Sequence, residues 1–143
     1  MNIIAYGSLM NQSSLERTLK RPALLTKTTI SGWKRVFNAP FDNYAFLNIS
    51  REPGMTIEAG SFELNPSELT LFTEREAGSV LAEALPGYFA FVWPDDYCQS
   101  LPVLLSYINV CANGAQELGI NFTLGLVWPC SVINDTNNPA YRA

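Results

Sequence analysis

The chain of 143 residues contains no histidine, and that absence sorts its chemistry first. A Ser-His-Asp triad and a Cys-His pair are excluded, and the commonest metal ligand is missing. Proton transfer falls to carboxylates, lysine, tyrosine or the backbone. Most carboxylates have structural readings: Glu16 and Glu68 as partners in helix caps, Glu52 in a turn, Glu63 on a solvent face, Asp95-Asp96 in a loop. Glu74 and Glu76 differ. They fall at the expected C-terminal end of a helix, where negative charge opposes the helix dipole at a cost of about 0.3–1 kcal/mol. That field, with apolar neighbours such as Phe72 and Val80, would raise a carboxyl pKa toward the range of a general base. Arg75 between them offsets part of it. The plainer reading is two exposed charges on a fraying turn.

The second stretch with chemical potential is Ile3 to Leu9. The run Ile3-Ile4-Ala5-Tyr6 reads as a strand buried on both faces. It stops at Gly7-Ser8, and Ser13 with Glu16 then reads as a capping box opening a helix. Such a turn offers backbone N–H groups to an anion, and Gly7 has no Cβ to keep a ligand away. An ordinary strand–turn–helix has the same signature. Tyr6, Tyr44 and Tyr88 are candidates for lining a pocket, with core positions as the default. Trp33, Trp93 and Trp128 default to core or interface.

Composition narrows the field further. The length suits one domain with a real core: residues 1–133 form it, and 134–143 read as a loose polar tail. Only 15% of residues are charged. The low charge and the tryptophans permit a homo-oligomer. The net charge is −4 and the pI about 4.7. No basic run follows a phosphate backbone, so nucleic acid is not an expected partner; Lys20-Arg21 and Lys34-Arg35 read as surface pairs. No stretch reaches the roughly 18 apolar residues of a membrane span, and the N-terminus lacks the pattern of a signal peptide. The expected location is cytoplasmic. Cys98, Cys111 and Cys130 are scattered and without basic partners nearby, as reduced, unreactive thiols would be.

The elements that would position these residues follow in order. A helix is expected over 12–20, then strands over 23–30, 33–37, 44–49 and 56–64, separated by turns at Ser31-Gly32 and Glu52-Pro53-Gly54 and by a loop formed of Ala39-Pro40 and Asp42-Asn43. Trp33, Arg35 and Phe37 share one strand face. A helix capped by Asn65, with Pro66 first and Glu68 third, is expected to end near Gly78. A hairpin follows, 79–85 and 88–93 about Pro86-Gly87. A last helix runs from Pro102 to Leu118, with Val103, Leu104, Tyr107, Ile108 and Cys111 on its apolar stripe. Residues 124–128 are too short to assign. The strands after the first helix lack crossover helices, so the fold class is α+β: a small mixed β-barrel flanked by helices.

Taken together, the motifs resemble the γ-glutamylcyclotransferase-like family. Tyr6-Gly7-Ser8-Leu9 is similar to its glycine turn. Gly32-Trp33-Lys34-Arg35-Val36-Phe37, Ala45-Phe46-Leu47-Asn48-Ile49 before Pro53-Gly54, and Gly60-Ser61-Phe62-Glu63-Leu64 are similar to its strands. Leu69 to Glu76 resembles the short helix ending in its catalytic glutamate, and Tyr107 to Phe122 its C-terminal helix. The family usually carries an aromatic and a basic residue after the glutamate; here Ser79-Val80-Leu81-Ala82 and Glu83 stand there. The resemblance implies a small γ-glutamyl substrate whose α-amine attacks its own γ-carbonyl, giving 5-oxoproline and a free amine. It implies Glu76 as general base, with Glu74 taking the role if the helix end shifts by two. It implies Tyr6, Gly7, Ser8 and Leu9 as the substrate-binding turn, with no cofactor and no metal. The rival is a non-catalytic module of the same fold that only binds a small molecule.

Overall fold

The chain was described from a computed structural model, which covers residues 1–94, 100–129 and 131–136. Its centre is β1 (Asn2–Ala5), whose Ile3, Ile4 and Ala5 are wholly buried. β1 pairs antiparallel with β3 (Tyr44–Glu63) on one side and parallel with β5 (Tyr88–Val92) on the other. With β2 (Thr26–Phe41), β4 (Val80–Leu85) and β7 (Leu126–Val127), they form a six-stranded mixed sheet in the order β4-β5-β1-β3-β2-β7. The sheet curves as a half-barrel, and α1 (Gln12–Leu19) and α2 (Leu105–Leu118) pack on it. A small parallel pair, β6 (Val103–Leu104) with β8 (Val132–Ile133), lies beside α2.

The four strands expected between residues 23 and 64 are two long ones. Gly32 does not turn the chain; it stands opposite Glu52 to Met55, since Ser31 pairs with Thr56 and Trp33 with Arg51. The expected Glu52-Pro53-Gly54 turn is therefore an excursion within β3. Asn38 is a bulge between the Phe37–Leu47 and Ala39–Phe46 pairs. Ala39 and Pro40, expected in a loop, continue β2, paired with Phe46 and Ala45, and the hairpin turn is Asp42-Asn43 alone, both with positive φ, 50° and 68°.

Local signals also moved. The N-cap of α1 is Asn11 rather than Ser13: its Oδ1 accepts from the Ser14 N–H at 3.1 Å. Glu16 is spent elsewhere, accepting from Gln12 Nε2 and the Ala23 N–H. Past β3, the helix expected to reach Gly78 is a 3-10 segment, Pro66–Phe72, followed by turns to residue 78. Its start is as expected, with the Glu68 carboxylate accepting the Asn65 N–H at 3.0 Å. The hairpin of β4 and β5 is as read. The last helix starts at Leu105, because Val103 and Leu104 are drawn into β6.

Arg35 is not a surface residue. It is fully buried, donating through Nε to the Tyr6 carbonyl at 2.8 Å and through Nη2 to the Glu58 carbonyl, with Phe122 over its guanidinium. Burial lowers its pKa to about 10, so it stays charged at neutral pH. It fixes the end of β1, where the glycine turn begins. Asp135, in the segment expected to be a loose tail, accepts from the N–H and hydroxyl of Ser106 at the start of α2. Residues 137–143, Asp95-Asp96, Cys98 and Cys130 lie outside the described residues. Among the described residues, no helix is long and apolar enough to cross a membrane.

Candidate active site

The strand β1 delivers its chain to a short 3-10 turn, Ser8–Met10, closed by the Met10 N–H on the Gly7 carbonyl at 3.0 Å. The N–H groups of Ser8 and Leu9 precede that first bond and have no acceptor within the turn. Two glycines allow the arrangement. A Cβ at Gly7 would stand 3.1 Å from the Tyr107 hydroxyl, so the requirement comes from α2 as well as from any ligand. A Cβ at Gly114 would lie 2.5 Å from the Asn11 nitrogen and the Met10 carbonyl carbon. Helix α2 therefore seats directly on the turn and holds it from behind; Asn11 Nδ2 also donates to the Val110 carbonyl at 3.3 Å.

Arg75 brings in the other half. Nη1 donates to the Ser14 carbonyl and Thr18 Oγ1, at 2.9 and 2.8 Å. Nη2 donates to the hydroxyls of Ser8 and Ser14, at 2.9 and 2.7 Å. One guanidinium thus ties the segment after the 3-10 helix to both α1 and the glycine turn. Glu76, the next residue, lines the same cavity of about 420 Å³ as Tyr6, Gly7, Ser8 and Leu9. Its carboxylate has no hydrogen-bond partner among the described residues. Burial raises its pKa to about 7, and the Arg75 charge pulls the other way. The physical cause is therefore burial, not the dipole of an α-helix, because no α-helix ends there; nor does Val80 shield it, being exposed. Glu74 lines the cavity from an exposed position.

Tyr6 is buried and donates its hydroxyl to the Phe91 carbonyl. Burial, then the Glu76 charge, push its pKa well above the usual value, so the phenol keeps its proton. Tyr44 and Tyr88 lie outside the cavity; Tyr107 lines it instead and accepts the Leu47 N–H at 3.1 Å. Of the tryptophans, Trp33 is core, Trp128 is exposed and Trp93 lines the cavity. Trp93 is clamped through its backbone by the buried Asn48, which accepts its N–H at 2.9 Å and donates to its carbonyl at 3.0 Å. Burial pushes the Cys111 thiol up to about 12, as an inert core thiol requires. Among the described residues, no three Cys, Asp or Glu side chains gather as metal ligands.

No protein-family model and no curated protein matches the sequence. Solved structures do match. A γ-glutamyl cyclotransferase superposes with a TM-score of 0.67 at 18% identity, over 82% of this chain and 79% of that one. An uncharacterised protein of Homo sapiens gives 0.66 at 19% identity, over the same shares of 82% and 79%. YkqA of Bacillus subtilis gives 0.62 at 16% identity, over 82% of this chain and 48% of its own. The chain has the γ-glutamylcyclotransferase-like fold. At such identities the likeness concerns the fold alone.

Within this fold, the residues expected from sequence come together: Glu76 and the turn Tyr6 to Leu9 share one cavity. What sequence reasoning missed is Arg75 as the tie, Ser14 as its acceptor, and the uncharged wall of Phe41, Phe46, Trp93 and Tyr107. A detectable signal existed for Arg75 only: a cation between two glutamates. Its partners are more than 50 residues away in sequence, at Ser8, Ser14 and Thr18.

Proposed function

We propose that the protein cyclises γ-glutamyl amines to 5-oxoproline with release of the amine, with Glu76 as the general base. The observation that carries this is a carboxylate with no hydrogen-bond partner among the described residues, raised to about 7, in one cavity with the glycine turn. At neutral pH such a group is divided between its two forms, so it can accept one proton and return it. In the reaction, the substrate's α-amine nitrogen bonds to its γ-carbonyl carbon while Glu76 takes a proton from that nitrogen. The carbon–nitrogen bond to the leaving amine then breaks as Glu76 returns the proton to it. No water is consumed and no electron is transferred.

The turn supports the charged parts. The hydroxyls of Ser8 and Ser14 each accept from Arg75, which leaves each its own hydrogen to donate into the cavity. With the N–H groups of Ser8 and Leu9 they make a seat for the substrate carboxylate or for the developing oxyanion. Ring closure is intramolecular, so holding the substrate folded supplies much of the rate. Tyr6, which keeps its proton, forms part of the floor.

The test is 5-oxoproline release from a set of γ-glutamyl amides. Glu76→Gln should lower kcat by about 10²–10⁴-fold. Release that persists unchanged in Glu76→Gln but falls in Glu74→Gln would assign the base to Glu74. Binding by calorimetry without any release would leave a binding module and overturn the enzyme reading.

A further inference from the structure

Among the described residues, the charged ones lining the cavity are Arg17, Glu74, Arg75 and Glu76, and all come from α1 or the segment after the 3-10 helix. The lining from the sheet and α2 is different. Ala39 and Phe41 of β2, Phe46 and Leu47 of β3 and Val110 of α2 carry no charge, and neither does Trp93 after β5, whose ring lies against Gly78. Three rings form a continuous line there. Tyr107, whose hydroxyl lies beside Gly7, meets Phe46 edge-on at 4.7 Å between centroids, and Phe46 meets Phe41 at 6.4 Å. The line runs from the glycine turn to the tip of the β2–β3 hairpin. Phe41 is 63% exposed at its outer end, an aromatic ring left in water beside the cavity mouth.

We infer that this wall receives the leaving amine, and that the preferred amine carries an aromatic or branched aliphatic group rather than a charge. The inference rests on the cyclisation reading, because it places the γ-glutamyl end at the charged side. The group beyond the scissile amide then reaches the outer rings, Phe46 and Phe41. An apolar substituent there exchanges water for ring faces and edges. A carboxylate, as in a γ-glutamyl amino acid, would lose water without gaining a cationic partner from the wall. A free ammonium would do the same, since no carboxylate among the described residues lines that side.

Glutaric acid monoamides separate this inference from the reaction. They keep the carboxylate and the amide but lack the amine that closes the ring. By calorimetry, the benzyl and isopentyl monoamides should bind at least about tenfold more tightly than the glycine and 4-aminobutyl monoamides. Phe41→Ala should weaken the apolar pair by roughly threefold or more and leave the charged pair unchanged. Phe41 is mostly exposed, so the variant keeps its core; Phe46→Leu is the second variant, trimming the ring against Tyr107. Equal affinities, or tighter binding of either charged monoamide, would overturn the inference. Turnover of the matching γ-glutamyl amides is measured beside it. The affinity ranking without 5-oxoproline release would keep the wall and remove the cyclisation. Release without the ranking would do the reverse, and no binding by any monoamide together with no release would remove both.

Discussion

Replacing Glu76 by glutamine should make the protein more stable and less active, and the stability gain should depend on pH. The carboxyl has an ordinary pKa of 4.5 when the chain is unfolded and about 7 when it is folded. Below pH 4.5 both states hold the proton, and glutamine offers no advantage. Between 4.5 and 7 the folded state keeps a proton that the unfolded state releases, so wild-type stability falls as pH rises. Above 7 the full cost of ionising the buried group is present. A shift from 4.5 to about 7 corresponds to at most about 3 kcal/mol. The residue is half-buried and water reaches part of it, so about 1–3 kcal/mol is expected at pH 8.5. In a chain of this size that is a rise in Tm of roughly 3–10 °C. The assay is urea denaturation of both proteins at pH 4, 6 and 8.5, with slopes compared to confirm a common unfolded state. The gain should be absent at pH 4, intermediate at 6 and full at 8.5. A variant less stable than wild type at pH 8.5, or a difference that is the same at all three, would refute the argument. The carboxylate would then be held by favourable contacts rather than pushed up by burial. Activity moves the opposite way, so a generally damaged protein cannot imitate the result.

Arg75→Met should shift the Glu76 titration above about 7, because it removes the one charge that lowers it. The acid limb of the pH profile of kcat/KM, or a 13C NMR titration of the carboxyl, reads this; no shift, or a downward one, would count against it. The same variant strips donors from Ser8, Ser14 and Thr18 and should cost about 2–4 kcal/mol of stability. Gly114→Ala should cost about 2–3 kcal/mol, since its Cβ would lie 2.5 Å from the backbone of Met10 and Asn11. The loss should appear in thermal melts, and turnover should fall with it, because the displaced element is the glycine turn. An unchanged melting temperature would mean that α2 has room to move off the turn.

Elements set by local rules were legible in the sequence. The β1 strand, the Asp42-Asn43 and Pro86-Gly87 turns, the Asn65-Pro66 start and the Gly119 stop each follow from residue types within four positions of one another. Elements set by distant partners were not. Glu52-Pro53-Gly54 has the composition of a turn, and only its pairing across to Ser31 and Trp33 makes it an excursion in one long strand. Ser13 is a good N-cap by type, but Asn11 takes the role because its amide also reaches the Val110 carbonyl on α2. Leu126–Val127 becomes a strand only because β2 offers an edge, at Arg35 and Val36. Arg35 reads as half of a surface pair with Lys34 until the face it shares with Trp33 and Phe37 is found to be the interior.

The candidate base shows the same division more sharply. The sequence expectation for Glu76 joined a sound location to a wrong cause: a helix dipole that does not exist there. What raises its pKa is burial, and its neighbour Arg75 is tied to three side chains on other elements. A buried guanidinium is costly when its acceptors are neutral, and all of the Arg75 acceptors are neutral. Nearby Glu74 stays exposed, and among the described residues the Glu76 carboxylate has neither a hydrogen bond nor an ion pair with the cation. A fold selected for stability alone would join that charge to that carboxylate. Both line one cavity beside the Ser8 and Ser14 hydroxyls, where a ligand that brings an amine and a carboxylate of its own would meet both signs. A γ-glutamyl group is such a ligand.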